Sequence, residues 1–109
     1  MLLQGYSASS GAVTGRVINV ETTPNDNRQP CILVARFFTP DIIMNYRNIL
    51  GIITEHGGAT CHAAVLARTM GIPCVTGVSQ ATSLLTSGQT VRLDAGDLME
   101  AGTIEVIEA

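Results

Sequence analysis

Hydrophobic and polar positions divide the chain into short segments of two kinds. Residues 12–20, AVTGRVINV, alternate and are rich in Val and Ile, which predicts a β-strand with Gly15 as a candidate bulge. Further short runs that are apolar or alternating predict five more strands, at 32–34, 51–54, 74–76, 90–93 and 103–107. The small-residue segment 7–11 and the polar segment 21–30 are predicted to be loops.

Helix signals stand between these strands. Thr39, Pro40 and Asp41 form an N-cap, a first-turn proline and a first-turn acid, so a helix of about two turns is predicted there, ended by Gly51. Residues 62–70 are good helix formers, and Gly71 is placed to end that helix. Residues 78–88 predict a helix or a turn. The chain is therefore predicted to be an α/β domain of small packed sheets with a few helices.

Composition and charge then exclude several classes of function. Hydrophobic residues make up 46% of the 109 and charged residues 14%, which is typical of one compact domain. A net charge of −3 with no Trp argues against a nucleic-acid interface. No apolar run approaches the roughly 20 residues of a membrane span, and the N-terminus lacks a secretory pattern. We expect a cytoplasmic protein whose three cysteines are reduced.

The candidate chemistry is concentrated in residues 51–77, GIITEHGGATCHAAVLARTMGIPCVTG. A buried strand leads to Gly57 and Gly58, where glycine permits unusual backbone conformations and the close approach of a ligand. His62 then lies in the first turn of the predicted helix, whose unpaired N–H groups and positive dipole end favour an anion. A neutral imidazole is a competent nucleophile. The pattern predicts a histidine that accepts a phosphoryl group beside an anion site.

The residues around this histidine have simpler interpretations as well. Thr60 is most simply the N-cap of the helix, and Cys61 a small packed residue. Arg68 is either a phosphate ligand or a solvated or ion-paired side chain, and His56 is either a loop residue or an anion contact. Histidine and cysteine are metal ligands, but their spacing here is not that of a zinc finger, so no metal site is predicted.

The predicted helix has two faces of interest. The first carries apolar side chains and is predicted to pack tightly on a sheet: Ala63, Ala67 and Met70. The neighbouring face would surround the histidine with a partly apolar docking surface: His62, Leu66 and Thr69. Such a surface fits a partner domain or a homodimer equally well, so the oligomeric state stays open.

The motif G-G-x-T-[SC]-H-A-A, followed by A-R and G-I-P-x-V-x-G, resembles the phosphohistidine swivelling domain of phosphoenolpyruvate-utilising enzymes. That family includes phosphoenolpyruvate synthase, pyruvate phosphate dikinase, enzyme I of the sugar phosphotransferase system and rifampicin phosphotransferase. The segments SASSGAVTGRV, ILVARFFTPDI and LTSGQTVRLDAGDLMEAGTIEV are also similar, so the resemblance covers most of the chain. It implies a β/β/α mobile domain over residues 1–109 that swings between two active sites.

The resemblance also implies roles for individual residues. His62 matches the histidine that accepts the phosphoryl group. Thr60 matches a position that is a regulatory phosphorylation site in the synthase and dikinase branch, and Cys61 occupies a place where serine is common. The residues that match the family pattern around the phosphate site are Gly57, Gly58, Thr60, Cys61 and Arg68.

The partners that the resemblance implies are an ATP-binding domain and a barrel domain that handles phosphoenolpyruvate and pyruvate, on the same or a separate chain. Mg²⁺ and ATP or phosphoenolpyruvate are expected on those domains, and no cofactor is expected on this chain. The 109 residues contain no Walker-type loop. We therefore expect a phosphoryl carrier that takes the group from a partner domain and passes it on, and whether the chain alone is an enzyme stays open.

One departure from the family concerns the residues before the glycines. Glu55 and His56 stand where several relatives carry a basic or small residue. A carboxylate at that place would repel a phosphoryl donor, unless protonation of His56 offsets the charge.

Two other functions stay open. The chain could be a non-catalytic binding or regulatory module that keeps the swivelling-domain fold without phosphoryl transfer. It could also be a thiol enzyme in which Cys61 works with His62 or His56, which needs a lowered thiol pKa at the helix N-terminus. Rapid and selective alkylation of Cys61 at neutral pH would be the signature of the thiol enzyme.

Overall fold

A computed structural model describes residues 1–22, 30–39, 46, 48–57, 62–96 and 101–108. Within these residues the strands are β1 (Leu2–Ser9), β2 (Gly11–Asn19), β3 (Cys31–Ala35), β4 (Ile49–Thr54), β5 (Cys74–Thr76), β6 (Thr90–Gly96) and β7 (Ala101–Glu108). The helices are α1 (His62–Met70) and α2 (Ala81–Leu84). In this part of the chain no helix combines the length and the apolar character that crossing a bilayer requires.

The strands form one mixed sheet that closes on itself in the order β1-β5-β4-β3-β2-β6-β7. The central strands β2, β3, β4 and β5 run parallel to one another, and the remaining pairs are antiparallel. Because β1 pairs with both β5 and β7, the two edges are joined and no open edge is left. The predicted α/β class is confirmed. The strands that are predicted to form small packed sheets belong to one sheet that closes into a barrel.

Side chains of the central strands alternate between two apolar clusters, as the two-residue period of a strand requires. On β3, Ile32 and Val34 point to the enclosed cluster, while Cys31 and Leu33 point outward to the cluster beneath α1. The enclosed cluster collects residues from β2 to β7 and is extended by Val78, Ala81 and Leu85 around α2. The short strands predicted from apolar runs are therefore buried on both faces, which explains their composition.

Helix α1 packs on the outer cluster through three small side chains, Ala63, Ala64 and Ala67, each at most 1% exposed. The predicted end at Gly71 is confirmed, because Gly71 has φ +72° and the N–H of Ile72 donates to the carbonyl of Ala67. The prediction that Met70 shares the buried face is wrong. Met70 lies in the last turn with 45% of its surface exposed.

Some predicted boundaries are wrong because long-range pairing outweighs local composition. The segment 7–11 is predicted to be a loop, but β1 continues through Ser9 since Ser7 and Ser9 pair with β5. Gly15 is not a bulge: it pairs in register with Val91, and the irregularity lies at Gly11. A Cβ at Gly15 would come within 2.8 Å of Leu50 Cδ1, so that glycine makes room for the Leu50 side chain of β4, which is not adjacent to β2 in the sheet.

The start of β4 also differs from the prediction. The strand predicted at 51–54 is present, but β4 begins two residues earlier, at Ile49, where the preceding helix is predicted to continue up to Gly51. Of the helix predicted from Thr39 to Leu50, residues 40–45 and 47 lie outside the described residues, as do 23–29 of the predicted loop. The strand at 74–76 is confirmed with the predicted bounds, and the helix-or-turn segment 78–88 contains α2.

Two distant residues hold α2 in place. Its N-cap, Gln80, has a left-handed backbone and makes no side-chain capping bond. The carboxylate of Glu55 supplies that acceptor instead, since it accepts the backbone N–H of Thr82 at 2.8 Å and also the Thr82 hydroxyl. At the other end of the helix, the buried amide of Asn19 donates to the carbonyls of Thr82 and Leu85, at 2.8 and 2.9 Å. Both ends of this one-turn helix therefore depend on tertiary contacts.

Replacement of Asn19 by Ala should lower the free energy of unfolding by about 2–3 kcal/mol, because it leaves the buried carbonyl of Leu85 without its donor. It also removes the acceptor for the N–H of Glu21. Chemical denaturation would measure the loss. The matched control is Thr22→Ala, an exposed neighbour whose hydroxyl makes only a long 3.4 Å contact, and which should cost less than about 0.5 kcal/mol. Equal losses in the two variants would contradict this assignment.

The stabilisation by Glu55 should depend on pH. The hydroxyl and the backbone N–H of Thr82 lower the pKa of Glu55 below its ordinary value of 4.5. A depressed folded-state pKa means that the stabilisation is present above pH 4.5 and is lost as the pH falls through the folded-state pKa. Glu55→Gln should therefore cost about 1 kcal/mol at neutral pH, with the deficit vanishing in acid, as denaturation at a series of pH values would show. A deficit that is constant with pH would contradict the assignment.

Candidate functional site

The parallel strands bring several chemistry-bearing residues to one edge of the sheet. Because β3, β4 and β5 are parallel, their carboxyl ends meet at the same edge, and a helix that follows β4 must begin there. Arg36 and Phe37 follow β3, Glu55 and His56 follow β4, and α1 begins with His62. This edge is the candidate site.

His62 is the first residue of α1 and is exposed to solvent. The first turn of the helix contains no acidic residue, so the positive end of the helix dipole is not neutralised from within α1. Behind it, the buried alanines hold the helix against the sheet. The arrangement presents an imidazole to solvent at a fixed place, with an electrostatic environment that favours an anion bound to it.

The connection from β4 to α1 is anchored at its start. The backbone N–H groups of Glu55 and His56 donate to the carbonyls of Ala35 and Arg36, each at 3.1 Å. Gly57 follows with φ +130°, a backbone conformation that other residues rarely adopt. The prediction that glycine is needed there for its conformation is thus supported at Gly57. Gly58, Thr60 and Cys61 lie outside the described residues, so their assigned roles stay predictions.

The carboxylate of Glu55 has a hydrogen-bond partner that the sequence analysis did not predict, namely Thr82. The hydroxyl and the backbone N–H of Thr82 are the main cause that lowers the pKa of Glu55, and the charges of Arg36 and His56 act in the same direction. Glu55 and Thr82 are 27 residues apart, so no local spacing reveals their contact. The available signal was indirect: Gln80 is a poor N-cap for a predicted helix, which implies an acceptor from elsewhere.

His56 has a partner that sequence reasoning missed. Its ring stacks on Phe37, with centroids 4.7 Å apart and planes inclined by 17°. Phe37 remains 60% exposed, so the pair forms an aromatic rim at the candidate site. The neighbouring Arg36 lies 4.0 Å from Glu21, an ion pair with both side chains well exposed that adds little stability.

Arg68, assigned to the phosphate site by resemblance, lies in the last turn of α1. Six residues of helix place its backbone about 9 Å along the axis from His62. There it lines a shallow depression of about 280 Å³ together with Ser9, Ser10 and Gly71. The structure therefore groups Arg68 with the opposite edge of the sheet, and its role as a phosphate ligand stays a prediction.

The predicted docking face around His62 is composed differently from the expectation. Leu66 is partly buried against the outer cluster, and the hydroxyl of Thr69 donates to the carbonyl of Val65 at 2.9 Å. The exposed apolar side chains of α1 are Val65 and Met70, at 53% and 45%. These two side chains lie about 140° apart around the helix axis, and of the two only Val65 is in the same turn as His62.

Comparison with known proteins identifies the family and agrees with the fold. Residues 27–97 match the family described as PEP-utilising enzyme, mobile domain. The chain is 42% identical over 109 residues to a probable phosphoenolpyruvate synthase of Methanothermobacter thermautotrophicus, covering 96% of this chain and 16% of the relative. It is 38% identical over 106 residues to a rifampicin phosphotransferase of Bacillus cereus, covering 94% of this chain and 12% of the relative. The chain spans less than a fifth of either relative.

Solved structures share the fold of this chain. A solution structure of an enzyme I protein aligns with a TM-score of 0.62 and 29% identity, over 76% of this chain and 33% of that one. A solution structure of a UPF0107 protein aligns over 99% of this chain and 100% of that one with a TM-score of 0.71, and at 18% identity it supports the fold alone. The chain belongs to the mobile-domain family of phosphoenolpyruvate-utilising enzymes.

Proposed function

We propose that this chain is a phosphoryl-carrier domain in which His62 accepts a phosphoryl group and passes it to an acceptor. The observation that carries the proposal is the placement of His62 as the exposed first residue of α1, at the positive end of a helix with no acid in its first turn. Membership of the mobile-domain family supports the same role.

The step is a nucleophilic substitution at phosphorus. A neutral ring nitrogen of His62 attacks the donor phosphorus, the N–P bond forms, and the bond from phosphorus to the leaving oxygen of the donor breaks with its electron pair. The other ring nitrogen keeps its proton. In the second step an oxygen of the acceptor attacks the phosphorus, the O–P bond forms, and the N–P bond breaks with its electron pair returning to the ring nitrogen, which regenerates the neutral imidazole. The start of α1 stabilises the dianionic phosphoryl group between the two steps.

The donor and the acceptor would be held by other domains. Both relatives described above are several times longer than this chain, so they carry polypeptide that can supply those domains. We propose an ATP-binding domain and a barrel that handles phosphoenolpyruvate and pyruvate, with Mg²⁺ and the nucleotide or phosphoenolpyruvate bound there. The exposed Val65, in the first turn of α1, offers apolar area for transient docking on them.

Phosphorylation at His62 is directly measurable. The chain is incubated in host-cell extract with phosphoenolpyruvate, or separately with ATP and Mg²⁺, and peptides are examined by mass spectrometry. We expect one acid-labile phosphoryl group on the peptide that contains His62, because an N–P bond hydrolyses readily in acid. His62→Ala should abolish the label while leaving the unfolding transition in place, since His62 is exposed. The donor that produces the label identifies which partner domain the chain serves.

His56→Ala is the matched control, since it removes the other histidine of the chain. It should keep the label. An acid-stable label on Thr60 would instead indicate the regulatory phosphorylation that the family resemblance suggests. No label on wild-type chain, in an extract where an intact relative is labelled, would contradict the carrier function and favour a binding or regulatory module.

A further inference from the structure

We propose that Glu55 is a positioning residue for His62: through Thr82 it fixes the connection between β4 and α1 to the short helix α2. The expected effect on the phosphorylation of His62 rests on the proposed function. The contact of Glu55 with Thr82 and its effect on the connection can be measured without phosphoryl transfer. Glu55 has no place in the reaction itself, because its carboxylate is engaged by α2.

The connection is held from two opposite sides. On the side of β3, the carbonyls of Ala35 and Arg36 accept the N–H groups of Glu55 and His56. On the side of α2, the Thr54 carbonyl accepts the N–H of Val78 at 3.0 Å, one residue before the bond from Glu55 to Thr82. The two consecutive residues that leave β4 are therefore fixed between neighbouring parts of the fold.

This anchor lies close in sequence to the reactive residue. Gly57 directly follows the anchored pair, and α1 begins five residues later at His62. The helix itself is fixed from the other side, through the buried Ala63 and Ala67. With both ends of the intervening segment held, the place of the imidazole relative to the sheet is determined. Displacement of a reacting group by about 1 Å can cost as much as a hundredfold in rate.

The contact with Thr82 also stabilises the negative charge of Glu55. A free carboxylate at the same edge of the sheet as the phosphoryl site would repel the incoming group. Donation by two groups of Thr82 places the charge at the start of α2, where the helix N-terminus favours it. Loss of the Thr82 hydroxyl would remove one of the two donors and leave the backbone N–H, whereas loss of the Glu55 carboxylate would remove the contact entirely. The acid that departs from the family pattern thereby becomes part of the support for the site.

The test compares Glu55→Ala, Thr82→Ala and the double variant. Hydrogen exchange followed by mass spectrometry reports the backbone protection of the peptide that spans residues 56–62. Labelling assays, with each variant of the chain as the phosphoryl acceptor, report kcat and KM for the phosphorylation of His62. The matched control is Asp94→Ala, which removes a carboxylate that accepts one backbone N–H, from Gly96, on a strand remote from α1. Global unfolding is measured for every variant, so that a general loss of stability is distinguished from a local one.

We expect Glu55→Ala to speed exchange in the 56–62 peptide about tenfold, and to lower kcat about tenfold with KM within about twofold of wild type. Thr82→Ala in the Glu55→Ala background should change neither quantity by more than about twofold, because the bond is already lost. Asp94→Ala should leave both unchanged.

Unchanged exchange in the 56–62 peptide, or acceleration no greater than that of the whole chain, would overturn the positioning role. Additive effects of the two substitutions would overturn it too. If the wild-type chain accepts no label, the carrier function fails while the exchange measurement still decides whether Glu55 fixes the connection.

Discussion

The close packing of α1 on the outer face of the parallel strands is the constraint on which the rest of the site depends. Alanine at positions 63, 64 and 67 lets the helix backbone approach the sheet, and all three side chains are buried. A helix that is held along its length presents its first residue at a fixed place. Since the strands are parallel, that place is the edge where their carboxyl ends meet, together with the residues that follow β3, β4 and β5.

The starts of α1 and α2 differ in their electrostatic environment, because among the residues that the structure describes only the start of α2 is in contact with a carboxylate. The start of α1 contains no acid and carries His62, whereas the start of α2 receives a carboxylate from Glu55. The free N–H groups at a helix start are satisfied by an acceptor, and at α2 that acceptor is the Glu55 carboxylate. Of the two helices in the described part of the chain, α2 holds the carboxylate of Glu55 at its start, whereas the first turn of α1 contains no acid.

Much of this architecture could be predicted because its signals are local. The buried strands at 32–34, 51–54 and 74–76 appear as apolar runs, and the end of α1 appears as Gly71. The strand character of Ser7 and Ser9 could not be predicted, because it depends on pairing with β5, far along the chain. Closure of the sheet and the contact of Glu55 with Thr82 are likewise long-range. The ordered motif around His62 indicated the family, yet it carried no information on the capping of α2.

The central claim is that the imidazole at the start of α1 carries a phosphoryl group. The most direct measurement is phosphorus NMR of the chain, prepared with ¹⁵N-labelled histidine and incubated with phosphoenolpyruvate and a full-length phosphoenolpyruvate synthase relative. The account predicts a protein-bound phosphorus resonance coupled to a ring nitrogen of His62, and its disappearance on brief acid treatment. Absence of any nitrogen-coupled resonance, while the full-length relative in the same tube becomes phosphorylated, would contradict the account.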